Sequence, residues 1–125
     1  MFFLGYDIGG TKTELAILYF SEGKKEFQIV HRERMPTQRL NGYTFMLKAI
    51  TQFTFDVLKE AKLSPSKISG IGIGLPGTVH PKKQSMIFGN TMAFINKPFS
   101  ADLKKSLKVK CPVVSENDAN CFAYA

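Results

Sequence analysis

The sequence predicts an α/β fold in which three antiparallel strands are followed by alternating helices and parallel strands. Three observations favour this class. A pair of glycines separates two apolar runs near the start of the chain, a helical apolar pattern follows the third strand-like segment, and a glycine-rich apolar run comes next. A run with no polar face is typical of a buried strand in a parallel sheet.

The length of 125 residues suits one domain or one lobe, and the hydrophobic content of 44% is enough to bury a core. The formal net charge of +7 would suit a polyanion, but the basic residues form only short, interrupted clusters. We therefore expect a solvated basic surface and no nucleic-acid partner. Two cysteines without zinc-ligand spacing, and an apolar start that Asp7 interrupts, favour a cytoplasmic protein with reduced thiols and no membrane partner.

The first three strands follow from alternation and turn residues. Residues 2–6 and 15–20 lie on either side of the Gly9-Gly10 turn, where glycine can take positive φ without a Cβ penalty. After a turn at residues 21–25, the alternating residues 26–34 predict a third antiparallel strand.

A helix is predicted next, with Asn41 as its cap and Ser64-Pro65 as its end. Its phenylalanines, Phe45, Phe53 and Phe55, are expected in the core. Apolar residues recur at helical spacing at Met46, Ile50, Phe53, Val57 and Ala61.

Beyond this helix we expect a buried strand at residues 68–75, a short helix at 100–107 and a strand at 112–115. An irregular or hairpin segment to residue 88 and a loop to residue 98 fill the interval, and a helix opens at residue 119. The order β-β-β-α-β-α-β-α is the ribonuclease-H-like arrangement, that is, a five-stranded mixed sheet with flanking helices.

The segment from Asp7 to Glu14 has the parts of a phosphate-binding hairpin. Consecutive backbone N–H groups at the turn can bind an anion, Thr11 and Lys12 add a hydroxyl and a cation, and Asp7 can hold Mg²⁺ through water. An ordinary glycine turn with solvated charges explains the local spacing equally well. The segment is not a Walker A loop, because a strand rather than a helix follows the lysine.

Two other motifs lie near strand ends. Residues 72–77 match GxGxxG, but no helix starts after them and no acidic residue follows at the spacing of a dinucleotide fold. Asn117 and Asp118 lie where a predicted strand ends and a predicted helix begins. Either residue could serve only as a helix cap. Together with the phosphate-binding hairpin, however, they favour phosphoryl transfer to a hydroxyl, with Asp118 as the base. His31 and His80 have no partner at metal spacing, so we expect surface or capping roles.

Three ordered motifs give the chain a family resemblance. Residues 7–12, 72–77 and 116–120 resemble those of the ROK family of bacterial sugar kinases and sugar-responsive repressors, in the actin-like ATPase superfamily. Met35-Pro36-Thr37 and Gly89-Asn90-Thr91 agree with it. Within the family, the sequence after Glu116 is most similar to N-acetylglucosamine kinases, with glucokinases, N-acetylmannosamine kinases and fructokinases close behind.

The resemblance implies an ATP- and Mg²⁺-dependent kinase acting on the 6-hydroxyl of a hexose such as N-acetylglucosamine or glucose. Asp118 would be the catalytic base, and Asp7 would lie near Mg²⁺. The sugar pocket would use Asn117, Asn90 and Gly77, and the ATP phosphates would meet Gly9, Gly10, Thr11 and Lys12.

Family kinases have a second, larger lobe that completes both binding sites. Residues 1–125 are therefore expected to be the N-terminal lobe of a longer kinase, and to be inactive alone. A sugar-sensing ROK regulator is one alternative, although its helix-turn-helix segment would precede residue 7; a ribonuclease-H-like nuclease and a non-catalytic interaction module are others. The sequence leaves the sugar and the oligomeric state open, a homodimer included.

Overall fold

Five strands form one mixed sheet, and two helices pack on one of its faces. The computed structural model describes residues 1–9, 11–37, 41–75 and 98–117. In chain order the elements are β1 (Phe2–Ile8), β2 (Lys12–Ser21), β3 (Glu26–Pro36), α1 (Tyr43–Glu60), a 3₁₀ turn (Pro65–Lys67), β4 (Ile68–Leu75), α2 (Phe99–Leu107) and β5 (Val113–Asn117).

The strand order across the sheet is β3-β2-β1-β4-β5. β1 pairs antiparallel with β2 and parallel with β4, and β5 continues the parallel half. The predicted five-stranded mixed sheet with flanking helices is confirmed. Because β1, β4 and β5 run in the same direction, their carboxyl ends meet at one edge of the sheet, which is where ligands dock in α/β folds.

The core lies between the sheet and the two helices. Alternate residues of each strand face the helices, as the two-residue period of a strand requires. On the sheet side the core contains Leu4, Tyr6, Ile8, Leu15, Ile17, Ile71 and Ile73, and on the helix side Met46, Ile50, Val57, Leu58, Phe99, Leu103 and Leu107.

The glycines of β4 make room on the opposite face of the sheet. A Cβ at Gly70 would come within 3.0 Å of two ring atoms of Phe3, so the absence of a side chain lets this ring lie on the strand backbone. The sequence of β4 is apolar throughout, but its two faces differ in the fold. The isoleucines point towards the helices and the glycines lie on the opposite face.

Several element ends differ from the sequence-based expectation. The residue that caps α1 is Gly42, whose φ of 90° only glycine adopts readily, and not Asn41. β3 runs two residues further, to Pro36, and β5 spans Val113–Asn117 rather than residues 112–115. The predicted hairpin to residue 88, the loop after it and the helix from residue 119 lie outside the described residues.

Burial of individual side chains agrees only in part. Phe53 and Phe55 pack against the core as expected, but Phe45 is 47% exposed, because it lies on the outer side of α1. Cys111 is a free, half-buried thiol, and its burial raises the pKa of that thiol; Cys121 lies outside the described residues. None of the helices in the described part of the chain is long and apolar enough to cross a membrane.

A buried hydrogen bond joins the central strand to α1. The hydroxyl groups of Tyr6 and Thr54 are 2.5 Å apart, and Thr54 in turn donates to the carbonyl of Ile50, so the Tyr6 hydroxyl is the donor. Tyr6 is fully buried, and this burial raises the pKa of its hydroxyl. The group therefore stays protonated and keeps donating throughout the physiological pH range.

We expect Tyr6→Phe to lower the free energy of unfolding by about 1 kcal/mol, because it removes one buried hydrogen bond and leaves the ring in place. Urea denaturation measures the difference. Tyr19→Phe is the matched control, since Tyr19 is 38% exposed, and it should change stability by less than about 0.5 kcal/mol. Equal effects of the two substitutions would contradict a stabilising role for the Tyr6 hydroxyl.

Candidate functional site

The turn between β1 and β2 is closed by a short backbone hydrogen bond. The N–H of Gly9 donates to the carbonyl of Lys12 at 2.9 Å, and Ile8 pairs with Thr13 at the base of the turn. A Cβ at Gly9 would lie 3.1 Å from that carbonyl oxygen. Glycine is thus required at position 9 because the Lys12 carbonyl approaches its backbone closely, and not because of a positive φ as the sequence predicts. Among the described glycines only Gly42 has a positive φ.

Thr37 holds this turn from the far end of β3. Its hydroxyl donates to the carbonyl of Gly9 at 2.9 Å, and its backbone N–H donates to the carbonyl of Thr11 at 2.8 Å. Because the Thr37 proton is committed to Gly9, the hydroxyl of Thr13 donates to Thr37, also at 2.9 Å. Both threonines are fully buried, so Gly9 and Thr11 are held in place before any ligand arrives.

Charged side chains surround a shallow cavity beside the turn. The cavity has a volume of about 260 Å³ and is lined by Asp7, Gly9, Lys12, Glu14 and Arg34. Asp7 and Lys12 are exposed. A second cavity of about 360 Å³, lined by Thr11, Lys12, Arg34, Met35 and Pro36, adjoins it.

Glu14 is neutralised by two arginines of β3. The Nε atoms of Arg32 and Arg34 lie 3.0 and 2.9 Å from its two carboxylate oxygens. Around the turn there are thus three cations, Lys12, Arg32 and Arg34, and two carboxylates, Asp7 and Glu14. The net positive charge suits an anion. Asp7 has no such ion pair within the described part of the chain, so its carboxylate is the better oxygen ligand for Mg²⁺.

Thr37 and Arg34 were not among the sequence-based site residues. For Arg34 a signal existed, because it lies directly across the β2–β3 hairpin from Glu14. Thr37 is 28 residues from Gly9 along the chain, and only the fold brings the two together. Their positions add an anchoring residue and a cation to the predicted phosphate turn.

The remaining predicted site residues are only partly within the described structure. Gly10, Gly77, Asn90 and Asp118 lie outside the described residues. Asn117 is the last residue of β5, and its backbone pairs with Leu75 at the end of β4. The fold therefore brings Asp7, Gly9, Thr11 and Lys12 to the same sheet edge as the backbone of Asn117.

The two predicted halves of the site are separated by two strand spacings. Asp7 pairs with Gly74 of β4, and Gly74 pairs with Glu116 of β5. Neighbouring strands lie nearly 5 Å apart, so the ends of β1 and β5 are about 10 Å from one another. The carboxyl end of β4 lies between them.

His31 does not have the isolated position that the sequence predicts. Its Nε2 atom lies 3.2 Å from a carboxylate oxygen of Glu33 and 3.6 Å from one of Glu60. The expectation of no acidic partner is wrong, because alternate residues of a strand share a face and α1 brings Glu60 to the same place. His80 lies outside the described residues.

Comparison with known proteins identifies the family. The family model described as ROK family matches residues 3–125. The chain belongs to the ROK family. It is 36% identical over 121 residues to the N-acetyl-D-glucosamine kinase of Haemophilus influenzae (strain 86-028NP), a match that spans 97% of this chain and 36% of that kinase. The chain thus spans about a third of the length of the curated relatives it matches.

Solved ROK structures have the same fold. The ROK hexokinase from Thermus thermophilus superposes with a TM-score of 0.78 at 23% identity, covering 96% of this chain and 36% of that one. A ROK family glucokinase from Streptomyces griseus, solved with glucose and AMPPNP, gives a TM-score of 0.74 at 24% identity, covering 99% of this chain and 35% of that one. The ribonuclease-H-like fold predicted from the element order is confirmed.

The hydroxyl of Thr37 should be needed to hold this ROK turn. Thr37→Val keeps the shape but leaves the Gly9 carbonyl and the Thr13 hydroxyl without their partner, so we expect a loss of about 1–3 kcal/mol in the free energy of unfolding. Hydrogen exchange of the Gly9 amide should also become faster, because the turn opens more often.

Thr37→Ser is the matched variant, since it keeps the hydroxyl and removes one methyl group, at a cost of about 0.8 kcal/mol. Its Gly9 amide should exchange as slowly as in the unchanged chain. If the valine and serine variants exchanged Gly9 equally fast, the hydroxyl network would not be what fixes the turn.

Proposed function

We propose that the chain is the N-terminal lobe of an ATP-dependent sugar kinase that phosphorylates the 6-hydroxyl of a hexose, N-acetylglucosamine or glucose. The observation that carries the proposal is the match of residues 3–125 to the ROK family, in which the relatives of this chain include N-acetyl-D-glucosamine kinases, together with an anchored, cation-lined turn at the carboxyl edge of the sheet. Residues 1–125 form the lobe, and the rest of the kinase completes both binding sites. Its compartment is the cytoplasm.

The turn would bind the phosphates of ATP. The N–H of Gly9 is taken by the Lys12 carbonyl, so the backbone N–H groups that follow it in the turn and the ammonium group of Lys12 suit the phosphate oxygens. Gly9 itself would allow the phosphates to approach the backbone closely, and Arg34 adds a second cation at the same cavity. A Mg²⁺ ion held through water by Asp7 would neutralise phosphate charge during transfer. Because Thr37 fixes the turn in advance, little ordering is left for the moment of binding.

Asp118 would be the base that accepts the proton of the attacking hydroxyl. It directly follows Asn117, whose backbone ends β5 about 10 Å from the end of β1. The sugar hydroxyl and the γ-phosphoryl group would lie in line over the carboxyl end of β4, between the ends of β1 and β5. Asn117, Asn90 and Gly77 would bind the sugar.

In the protein that contains this chain, Asp118→Asn should lower kcat by roughly 10²–10⁴-fold, since the amide cannot accept the hydroxyl proton. Sugar binding, measured by isothermal titration calorimetry, should change little because the side chain keeps its shape. Coupled spectrophotometric assays with ATP and N-acetylglucosamine or glucose give the rate.

Asp56→Asn is the matched control, because Asp56 is exposed on α1 and is hydrogen-bonded only to Gln52 among the contacts of the described residues. It should leave kcat unchanged. Survival of activity in Asp118→Asn would show that another group is the base. Sugar binding without any ATP turnover in the unchanged protein would instead favour a ROK sugar sensor.

Residues 1–125 on their own should not turn over ATP with a sugar, because they supply the base but only half of each binding site. The measurement is the same coupled assay with the purified 125-residue chain, beside the longer protein as control. Turnover at about 1–100 s⁻¹, the range of ordinary kinases, would contradict the two-lobe requirement.

A further inference from the structure

Three side chains with metal-binding atoms converge away from the phosphate turn. They are His31 and Glu33 of β3 and Glu60, the last residue of α1. Their ligand atoms all lie within 4.8 Å of one another, and His31 Nε2 is 3.2 Å and 3.6 Å from the two carboxylates. Along the extended chain, Glu33 and His31 are about 13 and 20 Å from Thr37, the residue that contacts the turn.

A β-bulge aims the two strand residues at the helix. β3 has one extra residue, Val30, opposite the step from Ile17 to Leu18. Beyond the bulge His31 pairs with Ile17, a buried core residue on the helix side of the sheet, so His31 and Glu33 face α1. Bulges commonly re-aim a side chain in this way at sheet edges.

The imidazole has an unsatisfied ring nitrogen at the centre of the cluster. His31 Nε2 is buried, and no partner of acceptable hydrogen-bond geometry reaches it from the described part of the chain. The two carboxylates are more open, with Glu33 42% and Glu60 63% exposed. A buried ring nitrogen between two accessible carboxylates is a set of ligand atoms for a cation that enters from solvent.

The spacing suits a small divalent metal. Zinc binds imidazole nitrogen and carboxylate oxygen at 2.0–2.2 Å, so tetrahedral neighbours in its coordination shell are about 3.3–3.5 Å apart. The distances from His31 Nε2 to the two oxygens are within a few tenths of an ångström of that value. Among common metals, one imidazole with two carboxylates suits zinc better than Mg²⁺ or Ca²⁺, which prefer oxygen ligands alone.

We propose that His31, Glu33 and Glu60 form a zinc site that ties the edge strand β3 to the end of α1, with water completing the coordination. The site is separate from the phosphate turn and does not depend on the proposed kinase activity. Since it joins two elements far apart in sequence, bound metal stabilises the folded chain over the unfolded one.

Zinc titration of the metal-stripped, full-length protein by isothermal titration calorimetry tests the site. His31→Gln should remove one equivalent of bound Zn²⁺, and Glu60→Gln should weaken the same equivalent at least tenfold. Any other zinc site in the protein remains in both variants and does not affect the difference. Zn²⁺ should raise the melting temperature of the unchanged protein more than that of either variant.

Glu26→Gln is the control, because Glu26 is an exposed carboxylate on the same strand and lies outside the cluster. It should bind Zn²⁺ as the unchanged protein does. Should His31→Gln fail to fold, Glu60→Gln decides the question, since Glu60 is exposed at the end of a helix. Equal zinc stoichiometry and affinity in all forms would overturn the proposal.

Discussion

The two-sided pairing of β1 is the constraint on which the rest of the structure depends. β1 forms an antiparallel hairpin with β2 on one side and a parallel pair with β4 on the other. The hairpin puts a tight turn at the end of β1, and the parallel pairing puts that same end beside the ends of β4 and β5. The glycine turn and the end of β5, the two parts of the proposed phosphoryl-transfer site, therefore lie at one edge of the sheet.

Pairing alone would leave the turn free to open, and Thr37, the residue that directly follows β3, prevents this. Its hydroxyl and its backbone N–H donate to the carbonyls of Gly9 and Thr11, and two arginines of β3 cover Glu14. The edge strand and the residue after it thus support a turn that joins two other strands. Neutralising Glu14 also matters electrostatically, since a second unpaired carboxylate besides Asp7 would repel a phosphate at the turn.

The sequence predicts the features that depend on a local pattern, but not those that depend on contacts between residues far apart in the chain. Alternation and glycine turns located the strands, and helical spacing located α1, because these signals lie within one element. The cap of α1 was misplaced by one residue, since Asn is a good cap but only Gly42 adopts the required φ. Thr37 contacts Gly9 and Glu60 contacts His31, which are 28 and 29 residues away in the sequence, and no local periodicity predicts such contacts.

The contact of His31 with Glu60 and the contact of Thr37 with the turn are linked through the register of β3, which Thr37 directly follows. A slip of β3 by one residue would move each of its side chains to the other face of the sheet, so His31 would leave α1 and Thr37 would be displaced from the turn. The bulge at Val30 separates the exposed first half of β3 from the half that carries both contacts. A link between His31 and Glu60 therefore does more than join a strand to a helix, because by holding β3 in register it also keeps Thr37 on the glycine turn.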